Sequence, residues 1–416
     1  MVDWVECGKR ARKFDACCHL SFHGRRLVQS YKSITETTFK ESKVKREKLK
    51  QHLERKMSFE DVRNALVMAY ADDLLDDGEF LFLYDYYEPV NRSYPYWDFD
   101  PFCLDSFDSC ECEAHFRVAK DDLTILLNAF RIPATFRCPQ GTVCNGMEGL
   151  CLLLKRLAYP CRYFDLISTF ARPIPELCMI TNTVLDWFYI EHGFRLTSWN
   201  QPFLSPAKLQ EYANAITRQG SPLTNCFGFV DGTVRPICRP GERQRIVYNG
   251  HKRVHALKFQ SVALPNGLIG NLYGPVEGRR HDAGMLKDSG LLTSLERVAY
   301  SPRGDVLCLY GDPAYPLRPH LMAPYRIGEV PLFTPNMEAF NEAMSSVRVS
   351  VEWLFGDVLN DFKFLDFKSN LKLGLSAVGK HYIVAALLRN TLTCLYGNNT
   401  STFFQVDPPT VQDYLA

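Results

Sequence analysis

The most constraining feature of this 416-residue chain is a short apolar run at 225–233, Asn-Cys-Phe-Gly-Phe-Val-Asp-Gly-Thr, which stops at an aspartate. A run of this length and composition is typical of a buried strand, and Asp231-Gly232 is a strong turn signal. We therefore expect the Asp231 carboxylate to lie at the end of a strand and to face a cleft, where α/β sheets commonly place chemistry.

A second apolar run, at 305–312, also ends in an aspartate, Asp312, with Gly311 just before it. Two carboxylates at the ends of two strands of one sheet can lie close together, where each raises the pKa of the other unless a cation lies between them. Mg²⁺ typically takes one or two carboxylates together with waters and substrate phosphates. The pair of aspartates predicts metal-assisted phosphodiester chemistry.

A third carboxylate, Glu352, falls in a segment with helical periodicity. The apolar positions that follow the 3.6-residue period are Val347, Val351, Leu354, Phe355, Val358 and Phe362. Glu352 borders this apolar stripe, from which its side chain can reach a cleft. Arg348 is four residues earlier on the same helix, so an ion pair is available there.

The order strand-Asp, strand-Asp, helix-Glu resembles that of the RNase H-like nuclease fold of DDE transposases. Four spaced motifs make the likeness specific to PIF/Harbinger transposases and the animal proteins derived from them; these motifs lie at 248–260, 274–286, 311–316 and 348–356. The resemblance covers roughly residues 115 to 400 of the chain. It implies an α/β fold: an RNase H-like domain with a mixed sheet flanked by helices, preceded by a helical, helix-turn-helix-like domain.

Carried over residue by residue, the resemblance implies that Asp231, Asp312 and Glu352 are the catalytic and metal-binding triad. It implies two Mg²⁺ or Mn²⁺ ions, with Asp231 shared between them. Such a DDE endonuclease or transposase cleaves DNA when water is the nucleophile and joins DNA when a 3′-hydroxyl is.

Three further residues near these motifs are predicted to support the site: His281, Asp282 and Arg348. Asp282 also rivals Asp312 for the second catalytic position. An aspartate directly ahead of a helix is most simply its N-cap, and Asp312 ends an apolar strand as Asp231 does. Asp312 is therefore the preferred second ligand.

The charge is unevenly distributed, although the totals, 48 basic and 47 acidic residues, nearly balance. Residues 1–58 hold 15 Lys/Arg against 7 Asp/Glu, whereas 71–114 hold 1 against 13. Charge and periodicity together predict five segments: a basic arm (1–60), an acidic and aromatic segment without regular structure (61–114), a helical domain (115–200), the nuclease domain (201–400) and a weakly ordered tail (401–416).

A cluster of cations follows Asp231 and is opposed only by Glu242. We predict that it binds the DNA backbone; the candidates are Arg235, Arg243, Arg245, Lys252, Arg253 and Lys258. A solvated hairpin is the alternative, but its charges would more often be mixed in sign.

The periodicity predicts helices at 121–130, 145–158, 161–170 and 175–191, of which the last two outline a helix-turn-helix. Because residues 174–192 contain no Lys or Arg, this helix is predicted either to read DNA or to support the nuclease domain by packing. Further along the chain we expect antiparallel strands at 255–264 and 268–274, a strand at 362–367 and a closing helix at 374–395.

Fifteen cysteines without regular spacing, no apolar leader and no long apolar run predict a soluble intracellular protein that is not membrane-bound. The resemblance to transposases implies that it acts in the nucleus after synthesis in the cytoplasm. Double-stranded DNA, as transposon ends or target, is the expected partner. The resemblance also implies a Myb-like DNA-binding partner protein, and self-association stays open. The alternative functions are a domesticated DNA-binding or scaffold protein that no longer transposes and, from fold alone, a nuclease acting on RNA.

Overall fold

The computed structural model describes residues 59–87, 94–328 and 332–416. Most of the predicted basic arm therefore lies outside the described residues. The chain divides into two compact units, 1–93 and 94–416. No helix in the described part of the chain is both long and apolar enough to span a membrane.

In the first unit, helices α1 (Phe59–Ala71) and α2 (Asp77–Tyr87) pack through a small core of Leu66, Ala69 and Leu75. Helix α2 corrects the prediction of an irregular acidic segment. Its start is stabilised reciprocally, since the Glu79 backbone N–H donates to the Asp76 carboxylate at 2.7 Å and the Asp76 N–H to Glu79 at 3.2 Å.

The second unit contains two sheets. Its strands are β1 (Thr135–Arg137), β2 (Val143–Asn145), β3 (Cys226–Pro236), β4 (Tyr248–Asn249), β5 (Val254–Ala263), β6 (Ile269–Glu277), β7 (Cys308–Tyr310) and β8 (Leu321–Met322). Strands β1 and β2 form a small antiparallel pair. The others form a six-stranded sheet in the order β4-β5-β3-β7-β8, with β6 also paired to β5. The sheet is mixed, because β3, β5 and β6 are antiparallel whereas β7 and β8 run parallel to β3.

Helices surround this sheet. They are α3 (Ser109–Phe116), α4 (Lys120–Ala129), α5 (Gly146–Ala158), α6 (Ile167–Phe170), α7 (Ile174–His192), α8 (Pro206–Arg218), α9 (Gln244–Val247), α10 (Asp282–Asp288), α11 (Leu291–Val298), α12 (Pro335–Arg348), α13 (Ser350–Asp361), α14 (Val378–Tyr396), α15 (Asn399–Phe404) and α16 (Val411–Leu415). The mixed sheet flanked by helices is compatible with a DDE nuclease domain.

One hydrophobic core joins the helices before residue 200 to the sheet after it. Helix α7 packs against both α5 and α14, so the end of the chain lies against its helical first third. The structure consequently places residues 94–416 in one unit and shows no division at residue 200.

Two predictions for the end of the chain are wrong. The expected strand at 362–367 is a 3₁₀ turn, Lys363–Asp366, in which the neighbouring Phe364 and Leu365 are both buried, a pattern that an alternating strand does not give. The tail expected to be weakly ordered contains α15 and α16, which bury Phe404 and Tyr414 in the main core. A short amphipathic segment near a terminus is ordered when it covers apolar surface.

Candidate active site

Asp231 lies within β3, where it pairs with Ser261 of β5, and the strand continues to Pro236. The strand end and turn predicted at Asp231-Gly232 are therefore wrong, because Gly232 and the residues after it go on pairing with β5. The side chain of Asp231 is about one-fifth exposed.

Asp312 follows the end of the parallel strand β7, whose Tyr310 pairs with Phe229, so each aspartate comes two residues after a paired residue. Burial raises the pKa of Asp231, and the negative charges of Asp312 and Asp282 raise it further. Joint binding of a metal ion by the two aspartates stays a prediction.

Arg348, the last residue of α12, is the ionic partner of Asp231. Its Nη2 lies 3.0 Å from Oδ1 of Asp231, and the Gly232 backbone N–H donates to the same oxygen at 2.9 Å. Both contacts favour the ionised carboxylate, yet the net effect on the pKa of Asp231 is still a rise. Burial therefore outweighs these two contacts in setting the pKa of Asp231.

Asp282 lies against the Asp231 strand from the other side. A Cβ on Gly232 would stand 2.6 Å from Oδ1 of Asp282, so the aspartate occupies the space that only glycine leaves there. Lys258 donates from Nζ to the same Oδ1 at 2.6 Å and to the backbone carbonyl of Arg280 at 2.9 Å. Asp282 is the first residue of α10 and His281 is the N-cap, without a side-chain cap bond, so the N-cap role predicted for Asp282 is wrong.

The loop that carries Asp312 is held to the sheet by residues that the sequence reasoning did not single out. Oδ1 of Asp312 accepts a hydrogen bond from the Ala314 N–H at 2.9 Å. Gln260 of β5 donates from Nε2 to the Tyr315 hydroxyl at 3.1 Å. Burial raises the pKa of Tyr315, as do the three surrounding aspartates. The Gly-Asp-Pro-Ala-Tyr motif contained the signal for Tyr315, since it puts an aromatic residue three positions after the aspartate.

Glu352 occupies the first turn of α13 and its side chain is exposed. The helix packs against β3, but Glu352 is not among the groups whose charge acts on Asp231. Within residues 59–87, 94–328 and 332–416, no three side chains of His, Cys, Asp or Glu are gathered closely enough to hold a metal ion. Among the described residues, the three predicted ligands therefore do not form one cluster of metal-binding size.

The donor chemistry of the aspartates suits a hard divalent cation. Carboxylate oxygens are the ligands that Mg²⁺ and Mn²⁺ prefer. In this structure the guanidinium of Arg348 is the positive group on Asp231. Asp231 and Asp312 therefore fit such an ion in ligand type and in their common level on the sheet, whereas Glu352 would have to join them.

Residues 230–390 match the family described as DDE superfamily endonuclease. This stretch is similar to DDE superfamily endonucleases, and it includes Asp231, Asp282, Asp312 and Glu352. No curated protein and no solved structure matches the chain.

The six predicted DNA-binding cations divide into two groups. The exposed group, called here the basic surface, consists of Arg243, Arg245, Lys252 and Arg253. The other two are buried: Arg235 lies over the ring of Tyr382 at 5.0 Å, and Lys258 is bound to Asp282. The predictions for Arg235 and Lys258 are corrected, because both side chains point into the packed surroundings of the sheet and offer no charge to a DNA backbone.

Helix α7, the candidate recognition helix, is largely a packing element. Seven of its residues are buried, among them Leu177, Val184 and Phe188. Asp186 on the same helix binds Lys380 of α14 at 2.7 Å. These contacts support the packing role; DNA reading by the remaining surface of α7 stays a prediction.

Proposed function

We propose that this chain is a DDE-type endonuclease related to PIF/Harbinger transposases, which cleaves and joins DNA phosphodiesters. The observation that carries the proposal is the pair Asp231 and Asp312, each two residues after the paired residues Phe229 and Tyr310 of the parallel strands β3 and β7, inside the segment that matches the DDE endonuclease family. Two carboxylates placed in this way suit metal-assisted phosphoryl chemistry.

Each group of residues at the candidate site has a role in this proposal. Asp231 and Asp312 would hold Mg²⁺ or Mn²⁺, with Glu352 as the third ligand. When bound, a pair of such ions activates the attacking oxygen and stabilises the leaving oxygen of an in-line displacement. The Lys258–Asp282 pair anchors the start of α10 beside β3. The basic surface would hold the phosphate backbone.

Cleavage of labelled DNA tests the proposal. The full chain is incubated with duplex DNA, and separately with RNA of the same sequence, in Mg²⁺ or Mn²⁺. We expect metal-dependent nicking of DNA that Asp231→Asn and Asp312→Asn each reduce by at least about 10³-fold. Exposed Glu342 on α12 supplies the matched control, Glu342→Gln, which should retain activity. Cleavage of RNA alone would support the RNA nuclease instead.

One observation favours the second candidate, a DNA-binding protein without nuclease activity. Asp231 is already paired with Arg348, which supplies a positive group at this carboxylate without a metal ion. A domesticated protein of this kind would bind duplex DNA yet leave it intact in either metal. The same assay therefore separates the two functions.

DNA binding through the basic surface is tested by the dependence of affinity on salt. Replacing Arg243, Arg245, Lys252 and Arg253 by alanine should flatten the log-log salt slope by roughly 0.9 for each phosphate that the variant no longer neutralises. A control variant removes four exposed cations from other parts of the chain, Lys208, Arg218, Arg297 and Arg303, and so changes the net charge equally. Equal slopes for the two variants would show that DNA binds to a different surface.

Sequence recognition is proposed to need a partner. Because α7 contains no Lys or Arg and is mostly packed, the lone chain should prefer element ends to random duplex by less than about 10³-fold, the lower end for specific binders. A Myb-like partner protein should raise that preference in competition binding at physiological salt. A nuclear location and self-association belong to the same proposal; imaging of the tagged chain and its mass in solution test them.

A further inference from the structure

Arg348 has an unusual position for a structural cation. It ends α12, only Val349 separates it from the start of α13 at Ser350, and its side chain is about one-fifth exposed. One nitrogen, Nη2, binds Asp231 at 3.0 Å. Its Nε is buried and has no hydrogen-bond partner among the described residues. The guanidinium is thus held at the candidate site by one ionic contact and is incompletely satisfied.

The position of Arg348 conflicts with a metal ion at Asp231. A guanidinium stays protonated at all working pH values, so it cannot become neutral when a second cation arrives. Two positive groups on one carboxylate repel each other most strongly where burial lowers the effective dielectric, and Asp231 is such a place. Arg348 and a divalent ion are therefore alternatives at the same oxygen.

We propose that Arg348 is an internal counter-ion that competes with the catalytic metal for Asp231 and weakens metal binding in the DNA-free protein. The inference rests on the proposed function, because it takes Asp231 as a metal ligand. The planar fork of an arginine matches a phosphate group as well as a carboxylate. A DNA phosphate at the edge of the sheet is consequently the natural alternative partner that would draw Arg348 away from Asp231.

The test is Mn²⁺ binding to the DNA-free full chain, followed by the electron paramagnetic resonance signal of free Mn²⁺. Arg348→Gln keeps a polar side chain but removes the charge, and it should bind Mn²⁺ about 5- to 50-fold more tightly than the unchanged chain. Arg348→Lys keeps the charge and should stay close to the unchanged chain. Arg303→Gln, on the exposed loop before β7, controls for net charge and should have no effect. Circular dichroism establishes that each variant is folded, and Arg348→Met replaces Arg348→Gln if the latter is not.

The outcomes separate the inference from the function on which it rests. Mn²⁺ binding that Asp231→Asn does not weaken, in any background, would remove Asp231 from the metal site and so overturn the proposed function. Binding that depends on Asp231 but is equal in the Arg348→Gln variant and the unchanged chain would overturn the counter-ion alone. Weaker binding in Arg348→Gln would also overturn it, because Arg348 would then support the site.

Discussion

The two aspartates of the proposed triad are positioned by the sheet, whereas the glutamate is positioned by a helix. Asp231 and Asp312 come two residues after a registered strand pair, Phe229 and Tyr310, so the hydrogen bonds of the sheet set their relative level. Glu352 lies on α13, separated from α12 only by Val349. A strand cannot slip by one residue without turning its buried face to water, whereas a short helix can shift on the sheet at small cost.

This difference gives the sheet and the helix separate roles in the proposed site. The sheet supplies two ligands in advance, and the helix is the element that completes the set. Arg348 and Glu352 are four residues apart across the junction of α12 and α13, so a movement that withdraws the cation from Asp231 also moves the glutamate.

The largest expected effect is on cleavage. Although Glu352 is exposed, Glu352→Gln should reduce DNA cleavage by at least about 10³-fold, as Asp231→Asn does, because a two-metal site needs all its carboxylate ligands in the transition state. Single-turnover cleavage measures the chemical step. Full activity in Glu352→Gln would show that Glu352 is not a ligand and that Asp282 supplies the third carboxylate beside Asp231 and Asp312.

The next largest effect is on folding stability and concerns the ion pair between Lys258 and Asp282. Lys258→Ala should lower the free energy of unfolding by about 2–4 kcal/mol, because it removes a buried ion pair with Asp282 and leaves a cavity beside β5. The exposed Lys252→Ala, six residues earlier, should stay within about 0.5 kcal/mol. Urea unfolding of both variants measures the difference, and equal midpoints would show that the buried pair does not stabilise the fold.

The smallest expected effect is a gain in folding stability when Asp231 loses its charge. The pKa of Asp231 in the folded protein lies above its ordinary value of 3.8, chiefly through burial, so the folded state binds this proton more tightly than the unfolded chain does. Ionised Asp231 therefore costs folding stability at neutral pH, and the cost disappears as the pH falls through the raised pKa toward 3.8.

Asp231→Asn should accordingly be more stable than the unchanged chain at pH 7, on the order of 1 kcal/mol, with the gap closing under acid conditions. Glu352→Gln, at an exposed position, should show no such gap. Thermal unfolding between pH 7 and pH 4 measures both variants. A stability loss in Asp231→Asn at pH 7 would mean that its contact with Arg348 outweighs the cost of burial.

Sequence reasoning located the strands well because apolar runs are short-range signals. The expected strands at 255–264 and 268–274 correspond to β5 (Val254–Ala263) and β6 (Ile269–Glu277). The apolar runs at 225–233 and 305–312 contain β3 residues and β7, but β3 continues five residues beyond Asp231, to Pro236, because its pairing with β5 is a contact that the apolar run does not show. The closing helix, expected at 374–395, begins four residues later, at Val378.

The same reasoning failed where the answer depends on contacts between distant segments. Counting charges along 231–258 treated Arg235 and Lys258 as surface residues, but the pleat of β3 and β5 turns both inward, toward partners that are far along the chain. The start of α10 at Asp282 is likewise set by the Lys258 contact and not by local capping preference. The hydrophobic core shared by the residues before and after residue 200 likewise depends on contacts between distant segments, so the local sequence does not reveal it.

The burial of α16 (Val411–Leu415) in the core has a consequence for how this unit folds. Tyr414 of α16 accepts a hydrogen bond from Asn390, which also binds the backbone of Ile269 in β6, and Arg195 donates to the carbonyl of Leu415. Helix α16 packs on α14 and α4, and Asn390 links it to the sheet. Because α4 and the sheet lie far earlier in the chain, the docking of α16 depends on long-range contacts, which form slowly in folding. The core around Tyr414 is therefore expected to close only after β6 and the helices have come together, and α16 is expected to be among the last elements to dock.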